Sequence, residues 1–271
     1  MINNAKINPT IISLQNPLIK NIIYIKKKNN DKSSDYFICE WYSFLKEALY
    51  NKWDVTNILY TAKKRNHIIV EKFYKKLDLK FTKISFVDPK ILKKLSQMNN
   101  PQDYIFVTRK KQFNLPKKIT RNAIFIALEE IKDPGNLGNI FRTIEAFGIK
   151  LCFLIGNCVN PYSTEVIRSS MGSIFNLKFV KATKDNFLEW IKANNVNLYG
   201  TSSYSNLSHL DHNWSLPLAI VMGSENSGVS KKIIDNCKCV VKIKTTGRAE
   251  SLNVSSASAI LISEIIRKYP M

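Results

Sequence analysis

The chain has 271 residues, 45% of them hydrophobic and 11% aromatic, which excludes a disordered or fibrous protein and leaves room for two domains. Its 41 Lys and Arg against 21 Asp and Glu give a formal charge of +20, so nucleic acid is the leading partner class, although a chain this rich in Lys, Asn and Ile also fits codon bias alone. The longest apolar runs, 123–128 and 151–155, are strand-sized and far short of the roughly 20 residues that a membrane span needs, and residues 1–9 lack a signal's apolar core; we expect no membrane and a cytoplasmic location.

Taken in chain order, Leu18–Lys28 and Tyr42–Tyr50 have helical periodicity, followed by a strand at Val55–Tyr60, a helix near 69–76, a strand near 81–87, a short helix at 90–97 and a strand at 104–108. This is a small α/β unit, and it carries the larger basic excess, 22 basic against 9 acidic residues in 1–115. The polar stretch after Arg109 contains Pro116 and dense charge, which predicts a domain spanning 1–112, a linker at 113–121 and a second domain at 122–271.

From Ala123 onward apolar strands alternate with helices: strands at 123–128, 151–155, 178–181, 197–201, 218–222 and 239–243, helices at 138–147, 163–171, 185–193, 229–234 and 252–268. Strands separated by helices imply an α/β fold with a largely parallel sheet covered on both faces, whose ligands sit beyond the strand C-terminal ends. The five cysteines are scattered and odd in number, which suits a reducing compartment. Cys237 and Cys239 would share one face of a strand, but no second pair completes a zinc site, and we expect no metal.

Three loops that follow strands hold the suggestive residues. In the first, 129–143, Pro134, Gly135 and Gly138 favour a turn into a helix whose amides can hold an anion, with Arg142 one turn in; the plainer reading makes Asn136 an N-cap and Arg142 a solvated cation. In the second, 221–229, Gly223 and Gly228 stand at P-loop spacing, but Val229-Ser230 replaces the required Lys-Ser/Thr, so no nucleoside triphosphate site is expected and a bare backbone beside Glu225 remains. The third, 241–260, passes through Gly247 into a helix of small residues that Ser251 or Asn253 can cap.

In this order and spacing the segments Asp133–Gly148, Met222–Gly228 and Glu250–Ala257 resemble the three motifs of the SpoU/TrmH branch of the SPOUT RNA methyltransferases, with Val166–Ser173 similar to the family's intervening stretch. The likeness covers about 120–268. Residues 13–20 and 37–40 resemble, more loosely, the ribosomal-protein-like domain that binds substrate RNA in many members.

The resemblance implies a parallel sheet whose C-terminal segment forms a trefoil knot, S-adenosylmethionine as methyl donor, RNA as partner, and a homodimer whose sites are completed across the interface. Carried over residue by residue, it places the donor's adenosine against Gly223, Ile243 and Leu252, and Asn136, Arg142, Glu225, Ser251 and Asn253 at the reaction site. It assigns proton removal from a ribose 2′-hydroxyl to Arg142; a guanidinium is a poor base, so orienting phosphate is an alternative role. The chain departs from the family in carrying Lys244-Thr245-Thr246 in place of Pro-Met after Ile243, and Trp41 in place of glycine after Glu40. The expected activity is 2′-O-methylation of RNA, ribosomal rather than transfer; the alternatives are a transfer RNA enzyme, an enzyme that modifies a base or a protein, and a non-catalytic RNA-binding assembly factor. None of the three histidines is expected to be the base: His67 lies in the first domain, and His209 and His212 are expected to be solvated residues of a polar loop.

Overall fold

The computed structural model describes residues 10–28, 34–61, 82–98 and 100–270, and the chain divides into two compact units. One comprises residues up to Lys111 together with Tyr162–Thr164, the other Gln112–Pro161 and Glu165 onward.

In the first unit, Asn16 caps helix α1 (Pro17–Lys27) by accepting the Leu18 N–H at 2.9 Å, and proline stands at N1, where a missing N–H costs nothing. Strand β1 (Tyr36–Glu40), helix α2 (Tyr42–Tyr50), β2 (Val55–Tyr60), β3 (Lys83–Phe86), helix α3 (Pro89–Leu95) and β4 (Tyr104–Arg109) follow. The sheet runs β1-β4-β2-β3, with β4 antiparallel to both neighbours and β2 parallel to β3. The apolar faces of α1 (Ile19, Ile22, Ile25) and α3 (Ile91, Leu92, Leu95) bury in one cluster with Ile38, Leu59, Ile105 and Val107 of the sheet, so both helices cover the same face. The helix expected near 69–76, and His67, lie outside the described residues. Strand β1 was not anticipated from the sequence.

Trp41 links β1 to α2 at φ 77° and ψ 131°, a conformation that only glycine adopts without strain. Exchanging Trp41 for glycine or for alanine removes the same indole, so the difference between the two variants isolates the backbone. Glycine ordinarily lowers stability relative to alanine; here we expect Trp41→Gly to be the more stable by about 1 kcal/mol in chemical denaturation.

The second unit is built on a seven-stranded sheet in the order β7-β6-β5-β10-β8-β11-β9, parallel at every pairing. Its strands are β5 (Ile124–Glu129), β6 (Leu151–Ile155), β7 (Lys178–Ala182), β8 (Asn197–Thr201), β9 (Leu207–Ser208), β10 (Leu218–Met222) and β11 (Cys239–Lys242). Central β5 and β10 are buried along their whole length, which is why their sequences are unbroken apolar runs rather than alternating ones. The helices are α4 (Pro134–Ala146), α5 (Thr164–Ser169), α6 (Lys184–Ala193), α7 (Lys231–Ile234) and α8 (Val254–Lys268). Phe113, Leu115 and Ile119 pack against the core of this unit, and the Trp190 indole N–H donates to the Pro116 carbonyl at 2.8 Å, so the stretch read as a linker lies on the sheet domain.

Helices α4 and α5 meet at Gly138. A methyl group there would overlap Ser169 Oγ and come within 2.7 Å of the Val166 carbonyl oxygen, a backbone atom that cannot swing aside. Gly138→Ala should therefore lower stability by about 1–3 kcal/mol through overpacking, despite alanine's better helix propensity. Thermal unfolding checks this, and a raised midpoint would contradict it.

Candidate active site

Strands β8, β10 and β11 end side by side, and the segments that leave them form one cavity of about 970 Å3. Gly223, Glu225, Ile243, Ser251 and Leu252 line it, over an apolar floor that includes Met222, Val254 and Leu261. The second turn folds back on itself: Gly228 N–H donates to the Ser224 carbonyl at 2.9 Å, and Gly228 takes φ +64°, which its lack of a side chain permits. The far stem of this turn is held by Glu129, only 1% exposed at the end of β5. Its carboxylate accepts the Ser230 N–H at 2.8 Å and faces the Lys184 ammonium at 2.7 Å.

Helix α4 enters the same region with its cap one turn earlier than expected. The N-cap is Asp133, whose Oδ1 accepts the Asn136 N–H at 2.6 Å, and Pro134 stands at N1. Because Asp133 does the capping, the Asn136 side chain is free to bridge. Its Nδ2 donates to Glu225 Oε1, and its Oδ1 accepts from Asn253 Nδ2 at 3.0 Å. Asn253 in turn caps α8 by accepting the Ser255 N–H at 2.9 Å and the Ser255 hydroxyl at 2.6 Å. One amide thus ties together three turns that lie far apart in sequence, at 136, 225 and 253.

Arg142 lies two turns further along α4. It is exposed, it does not line the cavity, and among the described residues it has no hydrogen-bond or ion-pair partner. The structure therefore joins seven of the eight expected site residues in and around one cavity and leaves Arg142 apart. The sequence reading also missed a wall: Thr201–Asn206, Ser208 and Asp211 line the cavity after β8. Their position just beyond a strand's C-terminal end was the available signal.

The histidines depart from expectation. His209 is 4% exposed, with Nδ1 lacking a partner among the described residues, rather than solvated. His212 packs edge-on against Tyr199 and Trp214, at 5.1 and 5.0 Å between ring centres; burial, then the charges of Lys268 and Lys238, lower its pKa from the usual 6.5. Neither lines the cavity. Cys237 precedes β11 instead of sharing its face with Cys239, whose Sγ lies 3.7 Å from His212 Nε2. Among the described residues no group of three or more His, Cys, Asp or Glu is placed to hold a metal ion.

A family model for the SpoU rRNA methylases matches residues 123–263, which contain the cavity and its bridge. The chain belongs to the SpoU rRNA methylase family. A second model, an MRM3-like substrate binding domain, matches residues 16–105 of this methylase. It is 27% identical to an uncharacterized tRNA/rRNA methyltransferase of Synechocystis over 96% of its own length and 94% of the relative's. It is also 29% identical to a 23S rRNA (guanosine(2553)-2′-O)-methyltransferase of Bacillus subtilis, over 51% of its own length and 55% of that enzyme's. Among solved structures it resembles the AdoMet-bound rRNA methyltransferase of Sinorhizobium meliloti, at 25% identity and a TM-score of 0.87, covering 97% and 98% of the two chains.

Proposed function

We propose that this methylase transfers a methyl group from S-adenosylmethionine to a ribose 2′-hydroxyl of RNA, and that the RNA is ribosomal. The observation that carries the reading is the Asn136 bridge to Glu225 and Asn253, which closes three turns around one cavity. A cavity of about 970 Å3 lies at the upper end of the range for small-molecule sites, and the AdoMet-bound relative supports the donor's identity. The residues fit the donor: Gly223 and Ile243 offer backbone beside the apolar floor, suited to a flat heterocycle, while Glu225 and Ser251 supply polar groups for ribose hydroxyls.

When bound, S-adenosylmethionine supplies a sulfonium-activated methyl group. The protein's own work is alignment: the bridged Asn136, Glu225 and Asn253 orient the acceptor ribose, and the apolar floor excludes water. Arg142 grips an RNA phosphate, which takes the hydroxyl proton as the oxygen–methyl bond forms, and stabilises the charge that grows on the oxygen. Since Arg142 stands outside its own chain's cavity, we infer a homodimer in which it serves the partner's donor. Exposed Leu210 and Ile260, beside Phe147 and Ala259 in a shallow hollow, support a second copy as the occupant of that surface. The knot is part of the same reading, as are an RNA-binding domain over 1–112 and a methyltransferase domain over 122–271, with the linker at 113–121 packed on the sheet of the second unit. A cytoplasmic site of action is supported by five cysteines that form no disulfide.

Nucleoside mass spectrometry with site mapping, on RNA from cells with and without the gene, tests the substrate. One 2′-O-methyl mark should vanish from ribosomal RNA. Loss from transfer RNA instead would overturn the choice of RNA, and an unchanged set of marks would overturn the activity.

A further inference from the structure

Helices α1 and α3 cover one face of the first unit, and their outward faces share a chemistry that stability does not require. Lys20 and Lys27 flank Tyr24 at i−4 and i+3 on α1, which puts the three side chains on one stripe. Lys90, Lys93 and Lys94 are exposed on neighbouring α3, and Asp88 is the only acidic residue in either helix or its cap. Tyr24 is 60% exposed although the same helix buries Ile19, Ile22 and Ile25 completely or nearly so.

Basic residues in a helix's last turn complement its dipole, which accounts for Lys27, Lys93 and Lys94. It does not account for Lys20 and Lys90, which stand near the positive ends of their helices, nor for an exposed aromatic ring. Lys26 is different: it is partly buried, its ammonium donates to the Lys94 and Ser96 carbonyls at 3.0 and 2.6 Å, and burial lowers its pKa; it fastens the two helices together. Among the described residues none of Lys20, Lys27, Lys90, Lys93 or Lys94 has an acidic partner.

We propose that the outer face of α1 and α3 binds a single-stranded segment of the RNA substrate, one base stacking on the Tyr24 ring while Lys20, Lys27 and the α3 lysines follow the phosphates. This rests on the reading that the substrate is RNA. A duplex hides its base faces, so the ring selects an unpaired segment, and base-on-aromatic stacking tolerates any sequence. Recognition here fixes where the RNA lies and leaves the choice of nucleotide to other contacts.

Fluorescence anisotropy of the full chain with a labelled single-stranded RNA of roughly 12 nucleotides, and with a duplex of equal length, tests this. Tyr24→Ala should weaken single-strand binding about tenfold and Tyr24→Phe should restore it. Lys20→Ala combined with Lys27→Ala should lower the slope of log K against log salt by about 1.4, at about 0.7 per phosphate contact. Unchanged thermal midpoints exclude misfolding; a variant that does unfold is replaced by charge reversal at Lys90 and Lys93, which should weaken binding likewise. Wild-type binding that none of these changes alters overturns this surface alone, whereas a wild-type chain that binds no RNA overturns the RNA reading with it. Tighter binding to phosphatidylserine vesicles than to RNA would also overturn the proposal.

Discussion

Alanine at Arg142 is expected to slow methyl transfer by about 10²–10⁴-fold while S-adenosylmethionine still binds within about twofold of the wild-type affinity. The side chain has no partner among the described residues and does not line the cavity, so its loss removes a group from the chemistry without disturbing the donor pocket. Single-turnover kinetics beside calorimetric titration of the donor separates the two effects. Equal loss of binding and of rate would show that Arg142 holds the pocket together instead. The proposed homodimer has a sharper test: if Arg142 serves the partner's donor, mixing Arg142→Ala protein with a variant that cannot bind donor should regain part of the activity, because one of the two sites in a mixed dimer would be whole.

Gly223→Ala provides that donor-binding variant, and its effect is expected to be nearly complete. A methyl group on Gly223 would overlap the backbone of Gly228 and Val229, the returning limb of the same turn. No rotamer relieves a clash between backbone and Cβ, so the turn must open, and Ser224 and Glu225 move with it. The Asn136 bridge then loses its Glu225 arm. Donor affinity should fall by at least about 100-fold, equivalent to roughly 2.7 kcal/mol, with methyl transfer lost in parallel. Retained donor binding in calorimetry would mean that the adenosine lies elsewhere. Gly228→Ala offers a contrast, since open space surrounds that position and only its positive φ opposes a side chain; its cost should be about 1 kcal/mol.

These variants also mark which parts of the molecule were legible beforehand. Strands such as Leu218–Met222 and Ile124–Glu129 were readable within a residue because a strand buried on both faces must be apolar throughout. Strand Tyr36–Glu40 was missed because Phe37-Ile-Cys39 is too short an apolar run to stand out without its partner β4. Helix α4 begins at Pro134 rather than 138, since Pro-Gly-Asn reads locally as a turn; an Asp cap followed by proline at N1 is the stronger pattern. The order of strands was not accessible. Nothing in the residues themselves says that β10 lies between β5 and β8, or that β11 crosses to the far side of β8, yet those placements gather the loops.

The site shows the same division. Asn136, Glu225 and Asn253 were nominated by resemblance to three motifs, but each had an ordinary capping or turn role when considered alone. The bridge gives them a common purpose, and it requires a separation of 117 residues along the chain to collapse to a hydrogen bond. The Ser-rich wall at 201–206 was passed over because serine and asparagine are usual in loops. The burial of His209 was invisible because the stretch around it, with Ser208, Asp211 and Asn213, is mostly polar and reads as a loop.

The most direct measurement is transfer of a deuterated methyl group. Purified protein, S-adenosylmethionine carrying a trideuterated methyl and ribosomal RNA from cells without the gene are combined, and the RNA is digested and analysed by mass spectrometry. The label should appear on a ribose 2′-oxygen of one nucleotide and be absent with the Gly223→Ala protein. Label on a base or on protein, or none on RNA although the donor binds, would contradict the account.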